Sequence, residues 1–186
     1  KSERENFVNE KITEIINLIT KFNGTSDSKL VITNLSLPHY SPHGIAETKT
    51  NYSFHDAIMD FNKKLKEKLL NINSAYVFDF FKFVIKHGEN NVFNFQNYLF
   101  GDIKISLDYI PYLANEFIPY VISFLGLTKK CIVVDLDNTL WGGIVGEDGF
   151  DGIRLGPQPP GNAFIEFQKY LKALSQRGIL LAINSK

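Results

Sequence analysis

Apolar residues in the first segment recur at three- and four-residue spacing. Phe7, Val8, Ile12, Ile15, Ile16, Ile19 and Phe22 form one stripe and Gly24 supplies a stop, so an amphipathic helix is predicted. Leu30-Val31-Ile32-Thr33 is a short, uniformly apolar run and reads as a buried strand. Pro38 and Pro42-His43-Gly44 mark a loop that extends to Ser53. A second helix is predicted from Phe54 to about Ile72, with Ile58, Phe61, Leu65 and Leu69 inward. Its Lys63, Lys64, Lys66 and Lys68 form a solvated face. Ala75-Tyr76-Val77-Phe78 repeats the strand pattern. Beyond it, Phe80, Phe81, Phe83, Val84 and Ile85 suggest a short helix, and Phe93, Phe95, Tyr98 and Phe100 a packed aromatic connection. No basic residues interleave those rings as a nucleic-acid surface requires, so they are assigned to the core. A further helix precedes Gly126, and Pro119 must either kink it or sit in its first turn.

After the basic linker Gly126-Leu127-Thr128-Lys129-Lys130 the pattern restarts. Cys131-Ile132-Val133-Val134 has the composition of a parallel strand covered on both faces. Residues 142–161 are rich in glycine and proline and predict turns and a hairpin. Ala163 to Gln176 is a helix with Phe164, Phe167, Leu171 and Leu174 on one stripe, capped at Gly178. Ile179 to Ile183 is another buried strand. The implied fold class is α/β, with two Rossmann-like parallel-sheet units in series, residues 1–126 and 127–186. The first shows two clear strands, and Lys186 directly follows a strand, so both units are expected to be partial.

Composition narrows the function. The 186 residues are 44% hydrophobic and 22% charged, with a formal net charge of +0 and a pI of about 7.1. That balance argues against nucleic acid as a partner. No apolar stretch approaches the roughly 18 residues that cross a bilayer, so no membrane is expected. Cys131 stands alone, which excludes an internal disulfide and a cysteine-only zinc site. It suits a reducing compartment, and Lys1-Ser2-Glu3-Arg4-Glu5 has no apolar signal region. A cytoplasmic location is the expectation.

The chemistry concentrates in Asp135-Leu136-Asp137-Asn138-Thr139, immediately after the strand 131–134. Ligands of open parallel sheets sit beyond the carboxyl ends of strands. Residues two apart start on the same side of a strand, so Asp135 and Asp137 can share one small volume with Thr139 behind them. Two carboxylates there repel unless a proton or cation intervenes, and an all-oxygen setting favours Mg²⁺. One can then act as nucleophile and the other as general acid and base. An EF-hand reading fails, because Leu140 and Gly146 stand where the loop needs Gly and Glu. A chance acidic pair is the bland alternative, disfavoured by the apolar run before it and Thr139 after it.

These residues resemble motif I, DxDx[TV], of the haloacid dehalogenase (HAD) superfamily, and Ser185 after the last strand resembles its motif II. The string from Lys130 to Gly149, with Trp141-Gly142-Gly143-Ile144-Val145-Gly146-Glu147-Asp148-Gly149 at its end, resembles the FkbH-like branch of HAD subfamily IIIC. Ala163-Phe164 and the ending Asn184-Ser185-Lys186 add to it. The branch carries an N-terminal region similar to SGNH hydrolases, a flavodoxin-like fold that suits residues 1–126.

The resemblance implies that Asp135 forms an aspartyl-phosphate. It makes Asp137 the proton donor and acceptor, and both aspartates ligands of Mg²⁺. Ser185 would hold the phosphoryl group, with Thr139, Lys186, Gly142 and Gly143 as further substrate-binding positions. Support of the loop is the favoured role of Thr139, and a terminal lysine such as Lys186 is more often only solvated. Gly142 to Leu155, with five glycines, matches a β-hairpin flap that closes over the site. Glu147, Asp148 and Asp151 belong to its surface, and Trp141 lines the entrance or packs on the sheet. Such proteins dephosphorylate a phosphorylated three-carbon, glycerate-type substrate and load a glyceryl unit on an acyl carrier protein. The basic motif III and acidic motif IV are expected beyond Lys186, so residues 1–186 alone are expected to be inactive. No Gly-Asp-Ser setting and no Asp-x-x-His pair occurs among His39, His43, His55 and His87, which leaves Asn34 as the only relic of an esterase. The rival reading is a non-catalytic module that binds a carrier protein or scaffolds the HAD domain.

Overall fold

The computed structural model describes residues 3–38 and 40–185; Lys1, Ser2, His39 and the candidate Lys186 lie outside the described residues. The chain divides into two compact units, Lys1–Phe124 and Leu125–Lys186.

In the first unit, β1 (Leu30–Thr33) and β2 (Ala75–Phe78) pair in parallel, Leu30 against Ala75 and Thr33 against Phe78. Helix α1 (Glu3–Asn23) precedes β1, and α2 (Phe54–Leu69) connects it to β2. Their apolar stripes meet on one face of the sheet, where Val8, Ile12, Ile19, Ala57, Phe61, Leu65 and Leu69 surround Ala75. Leu65 is fully buried there. Side chains alternate across the pleat, so Phe78 enters a second core on the opposite face. That core joins Phe83 and Val84 of α3 (Phe80–His87), Val92 of α4 (Glu89–Val92), and Leu113, Phe117 and Tyr120 of α6 (Ile110–Phe124). The sheet is thus covered on both sides, as parallel sheets usually are. Lys86 and Glu116, 2.6 Å apart, tie α3 to α6, and the Tyr120 hydroxyl donates to the Val77 carbonyl at 2.9 Å.

Two expectations need correction here. Gly44–Lys49 is a 3₁₀ helix within what the prolines mark as loop, held by the buried Glu47. The aromatic connection is only partly core. Phe93 packs inward, but Phe95, Leu99 and Phe100 of α5 (Phe95–Gly101) are exposed, Phe100 at 85%. A seven-residue helix makes too few turns to bury a continuous stripe. Pro119 lies well inside α6, beyond its first turn.

In the second unit, β3 (Cys131–Val134) and β4 (Leu180–Ile183) form another parallel pair, Cys131 against Leu180 and Val134 against Ile183. Between them run α7 (Val145–Gly152), two short helical pieces broken at Gly149 where φ is +67°, and α8 (Gly161–Gln176), the latter burying Leu171 and Leu174. The expected burial on both faces does not hold among the described residues. Val134 is buried, whereas Val133 is 62% and Ile183 67% exposed. One long helix can cover only one face of this sheet.

Candidate active site at the carboxyl edge of the second sheet

The parallel pairing of β3 and β4 puts both carboxyl ends on the same edge, and the Asn184 amide extends the ladder to the Val134 carbonyl at 3.0 Å. Asp135 and Ser185 are therefore the residues that leave this edge, one from each strand. Both are exposed. The Asp135 carboxylate accepts one hydrogen bond through Oδ1, from the Leu136 amide at 2.8 Å.

After Asp135 the chain makes a single hydrogen-bonded turn. The Leu140 amide donates to the Leu136 carbonyl at 2.8 Å and the Thr139 amide to the same carbonyl at 3.2 Å. Thr139 is half-buried within that turn, which accords with loop support. Gln168 of α8 fixes the turn's end, its side-chain amide donating to the Leu140 carbonyl at 2.6 Å. Asn138 reverses the chain at φ +55°, a left-handed position that asparagine tolerates better than most residues. It exchanges two bonds with Gly143: its amide donates to the Gly143 carbonyl at 3.2 Å, and its Oδ1 accepts the Gly143 amide at 2.8 Å.

Asp137 faces into the loop that it precedes. Its Oδ1 accepts the Trp141 indole N–H at 2.9 Å and the Val145 amide at 3.2 Å. Val145 is the first residue of α7, so one of that helix's unpaired N–H groups is satisfied by a carboxylate. Asp148 completes the arrangement, its Oδ2 accepting the Ile144 amide at 2.8 Å. Gly142 and Gly143 are positioned by backbone need. A Cβ on Gly142 would lie 3.0 Å from the Phe164 ring, and one on Gly143, at φ +97°, would lie 2.9 Å from Asp148 Oδ2.

The flap expectation is corrected at this point. Gly142 and Arg154 form one antiparallel bridge, with bonds of 3.1 and 2.7 Å, but the segment between them is α7 rather than two strands. Asp148 anchors the start of that helix instead of lying on a hairpin surface, and Trp141 is tied to Asp137. Sequence reading missed Asn138, Asp148 and Gln168. Asn138 had a usable signal, an asparagine just after a strand where a reversal is needed; Gln168 had none.

Whether these residues suit Mg²⁺ is decided by donor type and number. Asp135 and Asp137 each keep an Oδ2 with no hydrogen bond among the described residues, and hard oxygen donors are what the ion takes. They fit in kind. In number they fall short, since no group of three or more acidic, imidazole or thiolate side chains that could hold a metal occurs among the described residues.

The corresponding edge of the first sheet is differently used. Asn34 leaves β1 and donates to Asp79 Oδ1 at 2.8 Å, while its own Oδ1 accepts the Phe81 amide at 3.0 Å. Asp79 also caps α3 through the Lys82 amide at 3.0 Å. Both side chains hold the start of a helix, so the esterase relic is structural.

The model of the FkbH N-terminal domain matches residues 1–122. The chain belongs to the FkbH family. The family match ends before β3, but a structural likeness reaches further. It superposes on the crystal structure of the N-terminal part of BF1531 from Bacteroides fragilis, described as containing a phosphatase domain complexed with Mg. The TM-score is 0.77 at 28% identity, over 97% of this chain and 48% of that one. The chain thus spans about half the length of its structural relative. No curated protein matches it. No helix among the described residues is long and apolar enough to cross a membrane.

Proposed function

We propose that this chain forms part of a Mg²⁺-dependent phosphatase or phosphotransferase of the HAD type, with Asp135 as nucleophile. The observation that carries the reading is the exposed Asp135 carboxylate at the carboxyl end of β3, on the edge from which Ser185 also emerges. An Asp135 carboxylate oxygen attacks phosphorus, and the bond from phosphorus to the leaving oxygen breaks as Asp137 donates it a proton. Asp137 then takes a proton from water or from an acceptor hydroxyl, whose oxygen attacks phosphorus and frees Asp135. Ser185 would hold a phosphoryl oxygen during both displacements. When bound, Mg²⁺ would neutralise charge on the phosphoryl oxygens, with Asp135 and Asp137 as its ligands from this chain. The crystallised relative, described with a phosphatase domain and Mg, supports the reaction class. The finer reading is a phosphoglycerate-derived substrate, a glyceryl unit passed to an acyl carrier protein, and a cytoplasmic setting.

For the first unit we propose a carrier-binding or scaffolding role without catalysis, which the engagement of Asn34 and Asp79 in capping α3 favours. Turnover of a generic phosphate ester by the full-length protein tests the catalytic reading. Asp135→Asn should lower it by at least about a thousandfold, because an amide is a very poor nucleophile in the same shape. A wild-type rate in that variant removes Asp135 from the role.

A further inference from the structure

The first unit contains a cavity of about 880 Å³ that no function assigned above uses. That size lies within the range of small-molecule sites. Its walls come from the segment that leaves the carboxyl end of β1, where parallel sheets receive ligands, and from the connection around α4 and α5. Tyr40, Phe54, Phe93, Phe95 and Tyr98 supply aromatic surface, and Lys104 a cation. Tyr40 and Phe95 present large apolar rings to solvent at its lining. Exposed aromatic surface gathered around one concavity is a feature of binding sites.

The walls are held in place without a ligand. Phe93 pairs with Ile105 in an antiparallel bridge; the Asn94 amide donates to the Lys104 carbonyl at 3.0 Å, and the Ser106 amide to the Val92 carbonyl at 2.8 Å. Val92 beneath this clasp is fully buried. Asn94 then caps α5 through the Asn97 amide at 2.8 Å, which fixes the helix that presents Phe95 and Tyr98. On the other side, the buried Glu47 accepts hydrogen bonds from the Ser41 hydroxyl and the Phe54 amide. It thereby joins the Tyr40–Pro42 wall to Phe54 at the start of α2. Glu47 is a positioning residue, and its burial is explained by this link.

The charge available to an occupant follows from the same geometry. The Lys104 ammonium stands 4.9 Å from the Tyr98 ring centroid, an arrangement that holds a cation over an aromatic wall. Glu89, the acidic residue of the lining, is already engaged. We propose that this cavity binds a small organic anion with an aromatic or otherwise apolar body, the body against the rings and the anionic group at Lys104.

The test uses the whole chain with two fluorescent probes, anilinonaphthalene sulfonate and its uncharged parent phenylnaphthylamine. Both should bind with one saturable site, and Phe95→Ala should weaken both. Lys104→Gln should lower the ratio of anionic to neutral affinity by about fivefold at low ionic strength, and added salt should reduce that difference. Both side chains are exposed, so circular dichroism should be unchanged in either variant. Leu181→Gln, on the exposed strand β4, should leave both affinities as they were. An unchanged ratio in Lys104→Gln overturns the proposal. So does equal weakening by Leu181→Gln, which would mean adsorption to any apolar surface.

Discussion

Asp137 carries two loads that a pair of substitutions can separate. Its Oδ1 holds the Trp141 indole and the Val145 amide, while the proposed chemistry needs its proton. Asp137→Ala removes both hydrogen bonds. Bonds to charged acceptors contribute about 1.5–3 kcal/mol each, and at this half-buried position water recovers part of that, so the loss should be about 2–3 kcal/mol in all. Asp137→Asn keeps an oxygen for both donors and loses only the charge, which should cost about 1 kcal/mol or less. Trp141 is the sole tryptophan, so its fluorescence reports on this loop. Urea unfolding followed by indole emission should show a lower midpoint with a similar slope for Asp137→Ala, and a red-shifted native spectrum. Asp137→Asn should keep nearly the wild-type midpoint and spectrum, and still lose turnover in the full-length protein. Wild-type spectra and midpoints for Asp137→Ala would refute the structural half of the argument. Wild-type turnover in Asp137→Asn would refute the catalytic half.

Leu65→Ala removes a fully buried side chain between α1 and α2 and should cost about 3–4 kcal/mol, from lost transfer energy plus the cavity left behind; chemical denaturation followed by circular dichroism measures it, and Leu99→Ala, at an exposed site, should stay within about 0.5 kcal/mol of the parent. The Ser41 hydroxyl and the Phe54 and His55 amides outweigh burial and hold the Glu47 carboxyl below its usual pKa. A lowered folded-state value gives stability that is present above the unfolded pKa and lost as pH falls, so Tm should drop between about pH 5 and pH 3, and Glu47→Gln should flatten that drop.

The strands were legible because each is a short apolar run with turn residues nearby, and α2 because its stripe continues from Ala57 to Leu69. Asp135 was legible as the first polar residue after such a run. The segment after Gly142 was not, because its glycines suit a hairpin and a loop equally. Its helix depends on Asp137 and Asp148 accepting the amides of Val145 and Ile144, contacts made only when the turn after β3 has formed. Phe95 and Phe100 misled for a different reason. Apolarity gives a residue a tendency to be buried, but burial also needs a facing surface, and a short helix at the rim of a cavity has none. The exposed faces of β3 and β4 repeat that lesson, since Val133 and Ile183 look no different in sequence from Val134.

The most direct test of the central claim is to locate the phosphoryl group during turnover. The full-length protein would be quenched while it hydrolyses a phosphate ester with Mg²⁺, reduced with borohydride, and mapped by peptide mass spectrometry. An aspartyl-phosphate at residue 135 is reduced to homoserine, so the account predicts conversion at Asp135 and nowhere else. It also predicts none in the unquenched control without substrate. Conversion at another carboxylate, or continued turnover with Asp135 never modified, would contradict it.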